Sequence, residues 1–272
     1  MHAVTRSPVP VALTIAGSDS GVGAGIQADL KTFQRFGVFG TSAITAITAQ
    51  NTVGVNAWRA VDADLVRAQI DAVVTDLRPS AAKSGMLGTA EVASVVATAL
   101  RAHALTAYVL DPVLGSTSGD SLSERETADV IRADLLPLAT LVTPNLDEAE
   151  RLLGVRVRDV DAMEAAAEAL VRNGARAALV TGGHLDGDVV TDVLHHNGKS
   201  IVFSHPRLAT TSTHGTGCTL SAAITAQLAS GVALQDAVRI ALDYVHEAIR
   251  TAPGLGGGHG PLNHAVPMID ER

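Results

Sequence analysis

Three segments of this chain combine residue types suited to handling phosphate. The most specific is S-T-H-G-T-G-C-T-L-S-A-A, residues 212–223, in which Gly215, Thr216 and Gly217 form a small-residue loop running into an apolar helix that opens TLSAAITAQL. Such a loop aims several backbone N–H groups at one point with a helix dipole behind them, which suits the equatorial oxygens of a phosphoryl group in transfer. Cys218 stands at the same helix start, where a thiol is expected to have a lowered pKa. A lone cysteine is usually just a small hydrophobe; its place after the G-T-G loop is what favours a chemical role.

The second segment, T-P-N-L-D-E-A-E at 143–150, follows a short apolar run. Taken structurally, Pro144 and Asn145 start a helix and the acidic residues complement its dipole. Taken chemically, Asn145 and Glu148 face one side of the first turn and can hold hydrated Mg2+, which prefers one or two carboxylates with retained waters and substrate phosphates. The third segment is A-G-S-D-S-G-V-G-A-G, residues 16–25, ahead of IQADLKTFQRF. Its glycines let backbone approach a ligand and leave N–H groups free at a helix start, or they simply make a tight turn. Dinucleotide binding is disfavoured: Gly21, Gly23 and Gly25 do not follow G-x-G-x-x-G, and residues 40–51 contain no acid to hold a ribose. Gly198-Lys199-Ser200 looks like the tail of a P-loop, but Val193 occupies the position of the required glycine.

These segments need a rigid scaffold, and short apolar runs alternate with helical-period stretches along the whole chain, the pattern of a largely parallel sheet covered by helices. Strands are expected at Val11–Ala16, Ser42–Ala49, Ala57–Val61, Ala107–Leu110, Leu141–Thr143 and Ala177–Thr181. Helical stripes run through Val66, Ile70, Val73 and Leu77, through Val160, Met163, Ala167 and Leu170, and through Val238, Leu242, Val245 and Ile249. Ser123 with Glu126 forms a capping-box pattern. VVTDVLHH and SIVFSH flank Asn197-Gly198, which predicts a hairpin with a type I′ turn at the far side of the sheet. No linker or repeat marks a second domain, so residues 1–272 are expected to form one α/β domain.

Composition narrows the function classes. Of the 272 residues 47% are hydrophobic, 18% charged and only 3% aromatic, so the core is built from aliphatic side chains, as in a globular enzyme. The net charge of -8 comes without clustered Lys and Arg, which argues against nucleic acid as a partner. With Cys218 the only cysteine, no intrachain disulfide forms. Neither a signal-peptide core nor a membrane-length apolar run is visible, so a soluble cytoplasmic protein is expected. The ten histidines show no H-E-x-x-H spacing, and a transition-metal site is not expected.

Over nearly its whole length the sequence resembles the hydroxymethylpyrimidine/phosphomethylpyrimidine kinases of thiamine biosynthesis, within the ribokinase-like superfamily. The resemblance rests on ALTIAGSDSGVGAGIQADLKTF, TAQNTVGV at 48–55, AKSGMLGT at 82–89, LDPV at 110–113, TPNLDEAE, VTGGH at 180–184 and HGTGCTLSAA. It implies a ribokinase-like three-layer sandwich, ATP and Mg2+ as phosphoryl donor and metal, and a homodimer; the segment 40–61, which has strand character and lies beside the substrate motif, is expected to shield the site and meet that second copy. It also implies site residues. Gln50 reads the aminopyrimidine edge, Asp29 accepts from or orients the substrate, and Gly17, Ala24, Met86 and Val113 wall the ring. Gly215, Thr216 and Gly217 form the anion hole, with Cys218 where many relatives in the superfamily carry an aspartate base. Asn145 and Glu148 serve Mg2+ and phosphate, with Asp111 in the same electrostatic cluster and Thr181 and Gly183 beside the nucleotide.

Two departures stand out. Thr181 replaces the lysine of the common K-G-G-H, removing a cation near the nucleotide phosphates, and Val22 replaces a common glycine, which requires its side chain to point outward. Two other functions fit the same pattern: pyridoxal kinase activity, and a catalytically silent pyrimidine-binding protein.

Overall fold

The computed structural model describes residues 9–115 and 126–266. Nine strands lie in one sheet in the order β3-β2-β1-β4-β5-β6-β7-β8-β9. They are β1 Val11–Ser18, β2 Phe39–Gln50, β3 Val55–Ala60, β4 Ala81–Ser84, β5 Tyr108–Leu110, β6 Leu141–Val142, β7 Ala177–Thr181, β8 Val189–His196 and β9 Lys199–Pro206. From β2 through β7 the neighbours are parallel; β3, β8 and β9 pair antiparallel at the two edges.

The helices are α1 Gly25–Arg35, α2 Ala63–Leu77, α3 Ala90–Ala102, α4 Thr127–Val130, α5 Leu146–Leu153, α6 Val160–Arg172, α7 Thr216–Ala229 and α8 Leu234–Arg250, and α4 continues into a π turn at Ile131–Leu135 and a 3-10 turn at Leu136–Leu138. Strand periodicity assigns them to faces, because successive side chains point to opposite sides. Leu13, Ile15, Tyr108, Leu110, Ala178 and Val180 pack with α2, α3, α5 and α6. The intervening Val109, Ala177 and Leu179 pack with α7 and α8, and Ala12 with α1 and α7. The result is three layers, with helices on both faces of a mostly parallel sheet.

Helix α7 is buried without interruption from Thr219 to Ala226. Ser221, Ala222 and Ala223 are small enough to bring its axis close to the sheet, and an apolar girth of this kind belongs to a helix enclosed on several sides. Its neighbours are α1, α8 and strands β1, β4 and β5.

Several expected elements differ in extent. β1 runs on to Ser18, β2 begins at Phe39, and β3 spans Val55–Ala60. Strand β4 was not anticipated: AAKS is short and carries a lysine, yet all four residues are buried between β1 and β5. The Val66-Ile70 stripe is buried, but Leu77 at its end is exposed. The hairpin turn is type I′, with φ of 52° at Asn197 and 71° at Gly198. Ser123 lies outside the described residues, so its capping box with Glu126 does too.

Candidate active site

A cleft of about 830 Å3 runs across the C-terminal ends of the parallel strands, between the α7 start and the β8–β9 hairpin. This is where an open α/β sheet places its ligands, since the chain leaving each strand end can turn toward a common crevice. Gly17 and Asp19 come from the end of β1, Met86 follows β4, Asp111 and Val113 follow β5, Asn145 follows β6, and Thr181 and Gly183 mark the end of β7.

The glycine loop after β1 folds around Asp19. Its Oδ1 accepts the Gly21 N–H at 2.7 Å and its Oδ2 the N–H groups of Gly23 and Ala24 at 3.0 and 2.8 Å. His214 Nε2 lies 2.9 Å from the same Oδ2. Although burial works against the charge, these hydrogen bonds, His214's first, hold the Asp19 carboxyl below its ordinary range. The loop glycines at 21 and 23 thus serve a carboxylate of the chain itself, while Gly25 borders the cleft. Val22 has a left-handed backbone, φ 62°, and an exposed side chain, as its replacement of glycine requires. The Gly254–Gly260 patch covers the tip between β2 and β3, with His259 N donating to Thr52 O at 2.7 Å.

His214 leads directly into the G-T-G loop. Gly215 caps α7 in a left-handed conformation, φ 83°, and a Cβ there would stand 2.0 Å from Gly23 O. Only glycine lets the two loops meet. Gln50 lies beside this junction, its Nε2 3.4 Å from His214 Nε2, and Met86 and Val113 pack with Ala46 and Trp58 nearby. Gly17 presses on Met86, for an added Cβ would stand 3.0 Å from its sulfur.

At the other end, Asn145 and Glu148 make a reciprocal capping box: Glu148 N donates to Asn145 Oδ1 and Asn145 N to Glu148 Oε2, both at 2.9 Å. The structural reading of this motif is therefore realised, and it bears on the metal expectation. Asn145 spends its side-chain oxygen on the cap, which leaves its amide N–H donors for a phosphate and makes it the weaker metal ligand. Glu148 lends Oε2 to the same cap but keeps a second oxygen and, once ionised, a negative charge that suits a hard cation; burial, and then the Asp111 charge, push its pKa up to about 8. A cation beside it would relieve that cost.

Two expectations need correction. Asp29 does not line the cleft. It is fully buried beneath it, where it accepts from Thr14 Oγ1 at 2.6 Å and pairs with Lys83 Nζ at 2.8 Å. The thiol of Cys218 is not held low by the helix start. The side chain is half-buried at the cleft wall, and desolvation pushes its pKa up to about 12; Lys83 pulls the other way, Asp111 and Asp29 push it further, and the Gly25 N–H helps slightly. One helix dipole does not offset two nearby carboxylates and a dry floor.

Lys83 was missed at the sequence level, as were Asp19 and His214. Its signal was visible: a lone cation inside the apolar run AAKS requires a buried counterion. The other expected site residues, Gly17, Ala24, Gln50, Met86, Asp111, Val113, Asn145, Glu148, Thr181, Gly183, Gly215, Thr216, Gly217 and Cys218, all border the one cleft.

The family model for phosphomethylpyrimidine kinase matches residues 19–263, the span that carries every one of these motifs except the first strand. The chain belongs to the phosphomethylpyrimidine kinase family. Among its relatives, the hydroxymethylpyrimidine/phosphomethylpyrimidine kinase of Rhizobium meliloti is 50% identical over 257 residues, covering 93% of this chain and 96% of its own. The kinase of the same name from Bacillus subtilis is 46% identical over 254 residues, covering 93% and 94%. The pyridoxal kinase of Bacillus subtilis, solved as an ADP complex, superposes with a TM-score of 0.87 at 38% identity, covering 95% of this chain and 98% of that one. The fold of this phosphomethylpyrimidine kinase family member is thus the ribokinase-like three-layer sandwich. Among the described residues, no helix is long and apolar enough to cross a membrane.

Proposed function

We propose that this chain transfers the γ-phosphoryl group of ATP to the hydroxymethyl oxygen of 4-amino-5-hydroxymethyl-2-methylpyrimidine, and then a second phosphoryl group to that product, on the route to thiamine diphosphate. The observation that carries it is the position of the Gly215–Cys218 helix start between two unlike halves of one cleft. Gln50, Met86, Val113 and Gly17 border one half, Asn145, Glu148, Thr181 and Gly183 the other.

The Gln50 half suits a flat heteroaromatic ring, with Met86 and Val113 as apolar walls and the Gln50 amide to read its polar edge. The Asn145 half continues between the hairpin and α8, where Val190, Leu242, Val245 and Ile249 offer apolar surface to a nucleoside. The α7 N-terminus lies between them, so its N–H groups face the phosphoryl group as it passes. Mg2+, when bound, neutralises phosphate oxygens, and Glu148 is the residue to hold it there.

In the first transfer, the bond from the substrate oxygen to γ-phosphorus forms as the bridging P–O bond to ADP breaks, and the hydroxyl proton passes to Cys218 Sγ in its ionised form. Burial makes that form a minority species in the free site. In the second transfer the nucleophile is a phosphate oxygen, already largely ionised near pH 7 because its second pKa is about 6, and needs no base.

Product mass analysis with Mg-ATP and the pyrimidine, alongside a pyridoxal tube, tests this. Monophosphate followed by diphosphate is expected from the pyrimidine. Product from pyridoxal alone would move the assignment to pyridoxal kinase, which the likeness to the Bacillus subtilis pyridoxal kinase keeps as the second reading. No product in either tube would leave a silent binder.

A second copy of the chain is proposed as partner, through the β2–β3 edge, where Phe39, Ile47 and Val53 are exposed. Light scattering that gives a monomer at working concentration would overturn this.

A further inference from the structure

Lys83 is fully buried, and a buried ammonium persists only when paired. Its Nζ lies 2.8 Å from Asp29 Oδ1, 3.8 Å from Asp111 Oδ2 and 3.5 Å from the Cys218 carbonyl oxygen. Ser221 Oγ completes the cluster, donating to Asp111 Oδ2 at 2.9 Å and lying 3.1 Å from the Cys218 carbonyl. The first turn of α7 therefore rests on a charged floor supplied by β4, α1 and the end of β5. Burial works against the ammonium, but Asp29 first, then Cys218 and Asp111, outweigh it and keep Lys83 charged.

We propose that Lys83 is a positioning residue for the first phosphoryl transfer: pinned by Asp29 under the first turn of α7, its ammonium sets how readily the Cys218 thiol gives up its proton. The charged and polar groups facing that thiol from the packed elements are Lys83 on β4, Asp29 and the Gly25 N–H on α1, and Asp111 beyond β5. Asp19, His214 and Glu148 border the same cleft from above. Lys83 is the group that favours the thiolate most, and Asp111 and Asp29 oppose it. Asp29 therefore holds Lys83 in place while weakening its effect. The role in turnover rests on the proposed kinase reaction; the effect on the thiol does not.

Because Cys218 is the only cysteine, its alkylation by iodoacetamide reports its ionisation with no labelled background. Rates are compared at pH 8.5 for wild type, Lys83→Met, Asp29→Asn and the double variant, each shown folded by its melting transition. Removing the cation is expected to slow alkylation about tenfold, and removing Asp29 to speed it about tenfold, one pKa unit each way. The double variant is expected to return close to the wild-type rate. A loosened structure would expose the thiol and speed both single variants alike, so opposite signs separate electrostatics from packing. Lys83→Met reacting as fast as wild type, or Asp29→Asn reacting no faster, would overturn the proposal. If Lys83→Met does not fold, Lys83→Gln takes its place, with the same slowing expected and an unchanged rate again overturning the proposal. In turnover, Lys83→Met is expected to lose the first phosphorylation more than the second. Failure to phosphorylate any pyrimidine would refute the kinase reading and leave the alkylation result standing.

Discussion

Thr181 on β7 stands directly opposite Asp192 on β8 in the antiparallel ladder, so their side chains share a face at the edge of the cleft. The Asp192 carboxylate is buried and accepts the Gly182 N–H at 3.0 Å. Burial raises its pKa to about 6, against the Gly182 hydrogen bond and the field of His205. The folded state thus holds a proton on Asp192 that the unfolded chain, near 3.9, releases earlier. Its contribution to stability falls as pH rises from about 4 to about 6 and stays unfavourable above that. Asp192→Asn is expected to raise the melting temperature at pH 7.5 and to leave it nearly unchanged at pH 4. A gain at pH 4 as large as that at pH 7.5 would contradict this.

The same pair bears on nucleotide affinity. A carboxylate at this edge opposes an anionic ligand, and Thr181 brings no cation to offset it. Thr181→Lys is expected to lower the KM for ATP several-fold at pH 7.5 with kcat nearly unchanged. Unchanged KM would mean that the nucleotide phosphates lie elsewhere in the cleft.

Cys218→Ala is expected to cost the first phosphorylation about 100-fold and the second less than tenfold, since general-base assistance contributes on this scale. Equal losses in a folded variant would reassign Cys218 to packing at the cleft wall.

Gly215→Ala places a Cβ 2.0 Å from Gly23 O at a φ of 83°. The loops must separate, which moves the α7 N–H groups off the position proposed for the transferring group. A loss of kcat of about 100-fold or more is expected, the scale of losing one oxyanion donor. Near-normal kcat would mean that the α7 start does not bind the phosphoryl group.

Asp19→Asn removes the charge that gathers three loop N–H groups and His214. Because the folded pKa of Asp19 is depressed, its stabilisation is present above about pH 4 and lost as pH falls through the folded value. The variant is expected to lose about 2 kcal/mol at pH 7, the scale of hydrogen bonds to a charged group. The loss should shrink toward pH 3, as chemical denaturation at the two pH values would show. Equal losses at both would place the effect in packing.

The amino-acid order by itself determined the alternation of strand and helix, the I′ turn at Asn197-Gly198 and the three glycine- or acid-bearing segments that border the cleft, because each depends on residues close in sequence. Turn chemistry, hydrophobic period and loop glycines act over a few positions. The tertiary structure alone decided which groups share a field. Asp29 and Cys218 are 189 positions apart, and only the packing of α1 and α7 over β4 puts both against Lys83. That enclosure moved Asp29 from the cleft to its floor and turned the expected low thiol pKa into a high one. A helix start is a local feature, whereas desolvation and the charges of distant segments exist only once the chain is folded.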